Sequence, residues 1–412
     1  MEELSKIAQS EPQAALSCYS KSISHRWKYI QRTIPDIGHL FLPLENTIRN
    51  TFIPAIIGRN ISDNFRKIFS LPVRLGGMGI EDPSETSQAE YTASKEITEN
   101  LTSIIYRQDD DFTNYDRENI SSKVKEIKRI NEDKLKEKCN LLMESLDEKS
   151  KKIFELAQEK GAGAWITALP IKALGFSLNK QEFRDSVFLR YGWTVPNTPA
   201  FCSCGTKNTI DHALSCKKGG FIIMRHNKVR DVEAELLREI CHDVQIEPEL
   251  LPLDSNEFRN GNNAEKARLD VSGIGVWGPL ERTFLDVRIM HPTSPSYVNK
   301  SLKSVYLQHE REKKRSYNER VIQVEKGSFT PLVFSTYGGM GTEADKYHKR
   351  IAQLLADKKK EDYADIANYI RTRLRFCILK STLIAIRGAR SKQNYTQSPI
   401  SSLSFNLIAT NE

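Results

Sequence analysis

Four residues of the types that bind metals stand close together in the chain: Cys202, Cys204, His212 and Cys216. Thiolate and imidazole groups in a short glycine-containing loop suit tetrahedral Zn²⁺, and four protein ligands are typical of a closed, structural site. The alternative interpretation is a set of buried or incidental thiols. The spacing C-x-C-x7-H-x3-C favours zinc, although its first pair is tighter than the common C-x2-C. Such an ion would brace a segment of the chain and do no chemistry itself.

Two aspartates could bind a different cation. Asp270 lies in the alternating run RLDVS, opposite Leu269 and Val271, and Asp286 lies in the alternating run TFLDVRIM. If both runs are strands of one hairpin, the two carboxylates share a face of the sheet. Adjacent carboxylates repel each other unless a cation lies between them, and Mg²⁺ or Mn²⁺ with phosphate oxygens suits that position. The alternative is that both are ordinary surface aspartates at strand ends.

Two helical wheels add a lysine and a glutamate to this pair. In the predicted helix from 301 to 324, Lys313 falls at the centre of the apolar stripe and Lys314 at its edge. In the predicted helix from 225 to 244, the apolar stripe encloses Glu233. A lysine that faces inward needs a carboxylate or phosphate partner. With the aspartates, these residues form a nuclease-like arrangement; the alternative is a snorkelling lysine and a glutamate at a helix edge.

Basic residues follow the cysteine cluster. Lys217 and Lys218 come directly after its last cysteine, and Arg225 and His226 lie a short distance further on. Basic and polar side chains make most of the phosphate contacts in protein–nucleic acid complexes. These four residues are therefore candidates for contacts with a nucleic-acid backbone.

The elements that must position these residues change in type along the chain. Upstream of the cysteines the pattern is helical; downstream, the periodicity predicts helix, strand, strand, helix, strand and helix. That order is typical of a mixed sheet with helices packed against it, so we predict an α+β chain. The predicted parts are a helical region (1–90), a charged helical arm or linker (91–200), a zinc-binding segment (201–220), a mixed-sheet domain (221–390) and a disordered tail (391–412).

Composition narrows the class of protein. The 412 residues are 39% hydrophobic and 28% charged, and the formal net charge of +8 suits a polyanionic partner. The N-terminus has no basic region followed by an apolar run, and no apolar stretch approaches bilayer length, so we expect neither a signal peptide nor a membrane partner. The seven cysteines are odd in number and unevenly placed. This argues against a disulfide framework and predicts a reducing compartment such as the cytoplasm.

The order of the motifs resembles a known family. The resemblance is carried by HALSC and RHNKVRD, followed by RLD, FLDVRI, HEREKKRSY and STLIAIRGAR. Together they resemble the C-terminal part of non-LTR retrotransposon polyproteins that carry a restriction-like endonuclease, most strongly over 201–390. Upstream, over 20–85, LPVRLGGMGI resembles the thumb segment that follows the polymerase palm. The chain lacks a polymerase signature, since its nearest string, YADI, has one aspartate where two adjacent ones are needed, so we expect no polymerase activity.

The resemblance implies a role for several of these residues. In that family a cysteine/histidine zinc motif precedes a PD-(D/E)XK-type nuclease whose catalytic lysine has moved to the helix after the second acidic residue. Asp270 and Asp286 match the two acidic residues, Lys313 the displaced lysine and Tyr317 the tyrosine four residues after it. Leu269 stands where the family has a proline. The resemblance also implies a restriction-endonuclease-like sheet, a nuclear location, and DNA, with element RNA, as partners.

Three functions follow as hypotheses. The first is a Mg²⁺-dependent DNA endonuclease in which Asp270 and Asp286 hold the ion and Glu233 completes its shell. In this hypothesis Lys313 stabilises charge on the phosphate, and Tyr317 orients the phosphate or the water. The second is a truncated or repurposed module that binds nucleic acid without cutting it. The third is a helical scaffold whose charged arm binds another protein.

Overall fold

The protein has a mixed α+β fold. A computed structural model describes residues 1–108, 117–253, 258, 261–297 and 299–388. These residues are mostly helical and include one four-stranded sheet. The predicted α+β class is therefore confirmed. The predicted disordered tail lies outside the described residues. Within them, no helix combines the length and the apolar character needed to cross a bilayer.

The chain divides into two compact units. The first comprises Met1–Gln158, Ile166–Pro170 and Leu178–Val187, and the second comprises the remaining segments, Glu159–Trp165, Ile171–Ser177 and Phe188 onward. The charged helices up to Gln158 therefore group with the N-terminal helices, and the predicted boundaries at 90 and 200 differ from those of the units.

The described part of the first unit is helical. Asp82 caps one of its longest helices by accepting hydrogen bonds from the backbone N–H groups of Ser84 and Glu85. Arg66 and Glu45 form a buried, two-pronged ion pair inside this unit. Its α-helices are α1 (Glu2–Ser10), α2 (Pro12–Cys18), α3 (Ser24–Thr33), α4 (Leu42–Thr47), α5 (Ile53–Ile57), α6 (Asp63–Ser70), α7 (Pro83–Arg107), α8 (Arg117–Glu144) and α9 (Glu148–Gln158). Two further helices, α10 (Ala164–Thr167) and α11 (Lys180–Arg190), contribute residues to both units.

The second unit contains the sheet. Its elements are α12 (Ile210–Ser215), α13 (Phe221–Arg238), β1 (His242–Ile246), β2 (Val271–Ile274), β3 (Arg282–Met290), α14 (Leu302–Arg320), β4 (Ser328–Ser335), α15 (Thr342–Lys359) and α16 (Tyr363–Arg387). The strands lie in the order β1-β2-β3-β4. Strand β3 pairs antiparallel with β2 and parallel with β4. The predicted hairpin and the mixed character of the sheet are therefore confirmed.

Strand β1 is absent from our sequence-based prediction, which extended the preceding helix to 244. The helix instead ends at Arg238, and β1 begins at His242. The strand lies at the edge of the sheet, and most of its side chains are exposed. Because few of its residues need to be apolar, the sequence HDVQI shows no clear alternation from which a strand could be predicted.

Two layers of helices cover the sheet. On one face, α13 packs against β1, β2 and β3, and α15 packs against β4. Helix α16 packs on α13 and α15, and together they enclose a large apolar core that includes Leu236, Val287 and Leu332. On the other face, α14 packs with Val305 against Val333 of β4. Because successive strand residues point to opposite faces, Asp286 lies on the face that α14 covers.

One local prediction was wrong. Leu269 and Val271 were expected to share a face, but they pack in different apolar clusters. Strand β2 begins only at Val271, so Asp270 and Leu269 precede it. The alternation of faces that holds within a strand therefore does not extend to Leu269. The position of Asp270 is instead set by its own hydrogen bonds.

Candidate functional site

The first two cysteines of the metal-ligand cluster lie on a tight loop. The backbone N–H of Cys202 donates to the carbonyl of Thr206 at 2.9 Å, and Phe201 and Lys207 form an isolated bridge across the loop. Gly205 has a positive φ of 87°, a conformation that costs glycine little. The loop therefore points both cysteines to one side.

The other two candidate ligands lie on a short helix. His212 is in α12, which Thr209 caps, and Cys216 follows the last residue of that helix. The ligand atoms of the four side chains all lie within 4.8 Å of one another. Four ligands at about 2.3 Å from a tetrahedral ion stand about 3.8 Å apart. The cluster could therefore hold a metal ion such as zinc.

The cysteines differ in how readily they lose a proton. A hydrogen bond with Thr206 holds the pKa of Cys204 below its usual range, whereas burial raises the pKa of Cys216. The thiolate is the form that binds metals, so the lowered pKa of Cys204 favours its use as a ligand.

The segment 202–216, which carries the four candidate ligands and is called the metal-ligand segment below, makes hydrogen bonds to α13 and to the residues after β3. Asp211, beside His212, accepts hydrogen bonds from the Nε2 of His291 at 2.9 Å and from the Oγ1 of Thr293 at 2.6 Å. Both donors come directly after β3 in the chain. Arg225 of α13 donates to the carbonyl of Leu214 at 3.2 Å. Arg225 was predicted to contact phosphate, but it is only 2% exposed, and burial lowers its pKa to about 10. It holds α12 on α13 and does not face solvent.

The second group of candidate residues meets beside β3. The Oδ2 of Asp270 accepts a hydrogen bond from the backbone N–H of Val287 at 2.6 Å, and it lies 3.2 Å from the Nε2 of His226. The carboxyl groups of Asp270 and Asp286 lie close enough for each to shift the pKa of the other. The structure therefore brings the two predicted aspartates together, with His226 beside them.

A lysine from α14 completes this acidic cluster, which we define as Asp270, Asp286, His226 and Lys313. The Nζ of Lys313 lies 2.7 Å from the Oδ2 of Asp286. The next residue, Lys314, points away and pairs with Glu343.

Burial and charge shift the pKa values of the two carboxyls in opposite directions. Burial raises the pKa of Asp286, and the Lys313 ammonium only partly opposes it. Burial also acts on Asp270, but its hydrogen bond with His226 and the charge of that imidazole outweigh it and lower the pKa. The same contact with Asp270 raises the pKa of His226. The cluster thus combines two carboxyls, one imidazole and one ammonium.

Neither a protein-family model nor a curated protein matches this chain. The geometry and chemistry of the site therefore carry the functional argument.

Tyr317 lies near Lys313, whereas Glu233 lies in the interior beside His348. Tyr317 is one turn from Lys313, whose Nζ lies 5.8 Å from the centre of its ring, and its hydroxyl accepts from Asn262 at 3.2 Å. Glu233 is fully buried, and its Oε1 lies 2.9 Å from the Nε2 of His348 on α15. It is two helical turns, about 10 Å along the axis, from His226. The structure brings Tyr317 towards the acidic cluster and pairs Glu233 with His348.

Of the other predicted phosphate contacts, the two lysines are exposed, whereas His226 lies beside Asp270. Lys217 and Lys218 are exposed, as a phosphate contact requires. His226 was predicted to contact phosphate, and its place beside Asp270 was missed. The signal was present, because His226 lies three residues before the buried Val229 and so near the inward stripe of α13. The contacts of Asp211 had no such signal.

Proposed function

We propose that this protein is a metal-dependent DNA endonuclease related to those of non-LTR retrotransposons. The observation that carries the proposal is the contact between two largely buried carboxyls, Asp270 and Asp286, with the ammonium of Lys313 beside them. Burial of two adjacent carboxyls costs desolvation free energy that one ammonium recovers only in part, so such a pair is a candidate functional site. The mixed sheet with helices on both faces is compatible with a restriction-like domain.

The proposed roles follow from the chemistry of the residues. Asp270 and Asp286 would hold Mg²⁺ or Mn²⁺, which, when bound, supplies Lewis-acid activation of a phosphate and of a water. Lys313 would place its positive charge beside the phosphate oxygens, where negative charge develops. Tyr317, one turn further along α14, would orient the phosphate or the water. His226 would hold Asp270 in its orientation through the hydrogen bond at 3.2 Å.

The metal-ligand segment would have a positioning role. A zinc ion bound by Cys202, Cys204, His212 and Cys216 would fix α12, and Arg225 and Asp211 join that region to α13 and to the end of β3. Helix α13 carries His226, which contacts Asp270. In this way zinc would stabilise the acidic cluster from a distance and take no part in the reaction.

Binding of DNA would rest on exposed cations. Lys217 and Lys218 are exposed next to α13, and the net charge of +8 favours association with a polyanion. The proposal includes a nuclear location and element RNA as a second partner. These follow from the resemblance of the motifs.

The experiment that tests the proposal separates cleavage from binding. Asp286→Ala is expected to abolish Mg²⁺-dependent cleavage of duplex DNA while retarding DNA in a gel as the wild type does. Equal loss of both activities would count against a catalytic role. Unchanged cleavage would exclude Asp286 from the site. Retardation without cleavage by the wild-type protein would favour the alternative, a binding module that no longer cuts.

A further inference from the structure

A cavity of about 330 Å³ lies in the second unit, and neither aspartate of the acidic cluster lines it. Its walls come from Lys160, from the loop at Met340, from α15 and from the first turns of α16. Ligand sites in proteins have volumes of about 300–1,000 Å³, so the cavity is large enough for one small molecule or one unit of a polymer.

The lining of the cavity carries an excess of positive charge. Lys160, Lys349 and Arg371 line it, with Asp345 as the single carboxylate among its lining residues. Asp345 is shared between two of the cations, at 3.0 Å from the Nζ of Lys160 and 2.7 Å from the Nζ of Lys349. Three cations and one carboxylate leave two positive charges uncompensated, and this favours an anionic ligand.

Arg371 is the strongest indication of what that ligand is. Among the residues that the structure describes, its guanidinium has no hydrogen bond or ion pair, whereas Arg373, two residues further along α16, pairs with Glu235. Its side chain packs closely on Gly161, where an added Cβ would lie 2.9 Å from its Cδ. A guanidinium presents a planar fork of donors that matches phosphate. Arg371 is therefore held at the cavity with its donors available.

The lining of the cavity also includes apolar and aromatic side chains. Ala364, Ala367 and Ile370 of α16 line it together with Met340, and so does Tyr363, a residue that is 39% exposed. Aromatic rings beside cationic groups are the usual platform for a nucleobase whose phosphate is bound by charge.

We propose that this cavity binds a nucleotide, with the phosphate on Arg371 and Lys349 and the base against Tyr363. The ligand is a free nucleotide or one nucleotide of a single strand, and both present the same phosphate and base. The proposal is independent of the proposed endonuclease, because it uses none of the residues of the acidic cluster.

The test measures binding by calorimetry to the full chain carrying Asp270→Ala and Asp286→Ala, so that cleavage cannot interfere. The probes are AMP, adenosine and inorganic phosphate. AMP is expected to bind more tightly than either part alone. Arg371→Gln is expected to weaken AMP binding by about tenfold, because it removes a charged hydrogen-bonding group. Lys349→Gln is expected to weaken it severalfold.

The matched control is Lys346→Gln. Lys346 is on the same helix as Lys349 and similarly exposed, but it pairs with Glu343 and does not line the cavity. This variant is expected to bind AMP as the parent does. If a ten-nucleotide single strand displaces AMP, the ligand is one nucleotide of a polymer. If the strand does not displace AMP, the ligand is a free nucleotide.

Two results would overturn the proposal. One is equal AMP affinity in the parent, Arg371→Gln and Lys349→Gln proteins, all of them folded by circular dichroism. The other is no AMP binding at about 1 mM AMP, a concentration at which even a weak nucleotide site would be half filled.

Discussion

The Nζ of Lys313 lies 2.7 Å from the Oδ2 of Asp286, and this ion pair joins α14 to β3. The Asp286 side chain is 8% exposed, and the carboxyl of Asp270 is in contact with it. A buried ion pair recovers the cost of desolvation only in part, and a second carboxylate adds to that cost. The arrangement therefore contributes little to stability, which supports its assignment to function.

Lys313 and Lys314 offer a matched comparison. Lys313→Ala is expected to lower the cleavage rate by about 10²- to 10³-fold, the effect of removing one group that stabilises charge in a transition state. Lys314→Ala removes a neighbouring cation that pairs with Glu343 and is expected to leave the rate within about twofold. Single-turnover cleavage of a labelled duplex measures both. Equal rates for the two variants would exclude Lys313 from the reaction.

The metal-ligand cluster predicts a change in metal content. The purified wild-type protein is expected to contain about one zinc ion per chain by mass spectrometry. Cys204→Ser is expected to lose most of it, and Cys18→Ser, which changes another exposed cysteine outside the cluster, to keep it. A chelator is expected to lower the melting temperature of the wild type and not of Cys204→Ser. Zinc retained by Cys204→Ser would contradict the assignment.

Arg66 predicts a large loss of stability in the first unit. The side chains of Arg66 and its partner Glu45 are 6% and 9% exposed. Arg66→Ala leaves Glu45 buried without its partner and is expected to cost about 3–5 kcal/mol of unfolding free energy. Arg49→Ala breaks the more exposed pair with Asp63 and is expected to cost less than about 1 kcal/mol. Chemical denaturation measures both values, and similar costs would contradict the argument from burial.

Glu159 predicts a pH dependence of stability. Burial raises its pKa from 4.5 to about 7, and hydrogen bonds from Tyr306 and Ser335 oppose the shift only in part. The folded state therefore favours the protonated carboxyl. This contribution is full below about pH 4.5 and is lost as the pH rises through about 7, up to about 3 kcal/mol in all.

Glu159→Gln keeps the shape of the protonated side chain and removes its titration. Relative to this variant, the wild type is expected to lose unfolding free energy between pH 5 and 8, measured by urea denaturation. Parallel pH profiles for the two proteins would show that Glu159 has an ordinary pKa in the folded state.

Local periodicity predicted much of the second unit. Alternation in RLDVS and TFLDVRIM predicted the β2–β3 hairpin, and the helical wheel of 301–324 pointed Lys313 and not Lys314 inward, as the structure has them. These predictions succeeded because the apolar residues of buried elements repeat with the period of the element.

Other features had no local signal. Strand β1 is a mostly exposed edge strand, so the sheet and not its own pattern determines it. The contact between Asp211 and His291 joins residues 80 positions apart. Glu233 of α13 and His348 of α15 are 115 positions apart, and a wheel of a single helix cannot show that they meet. Contacts between distant segments require the fold itself.

The central claim is that Asp270 and Asp286 hold a catalytic metal ion. The most direct test incubates supercoiled plasmid with purified wild-type protein and Mg²⁺ or Mn²⁺, beside the Asp270→Ala/Asp286→Ala double variant. We predict metal-dependent nicking by the wild type and none by the double variant, with equal retardation of the DNA by both. Absence of nicking by the wild type, with DNA still bound, would contradict the claim. So would equal nicking by both proteins.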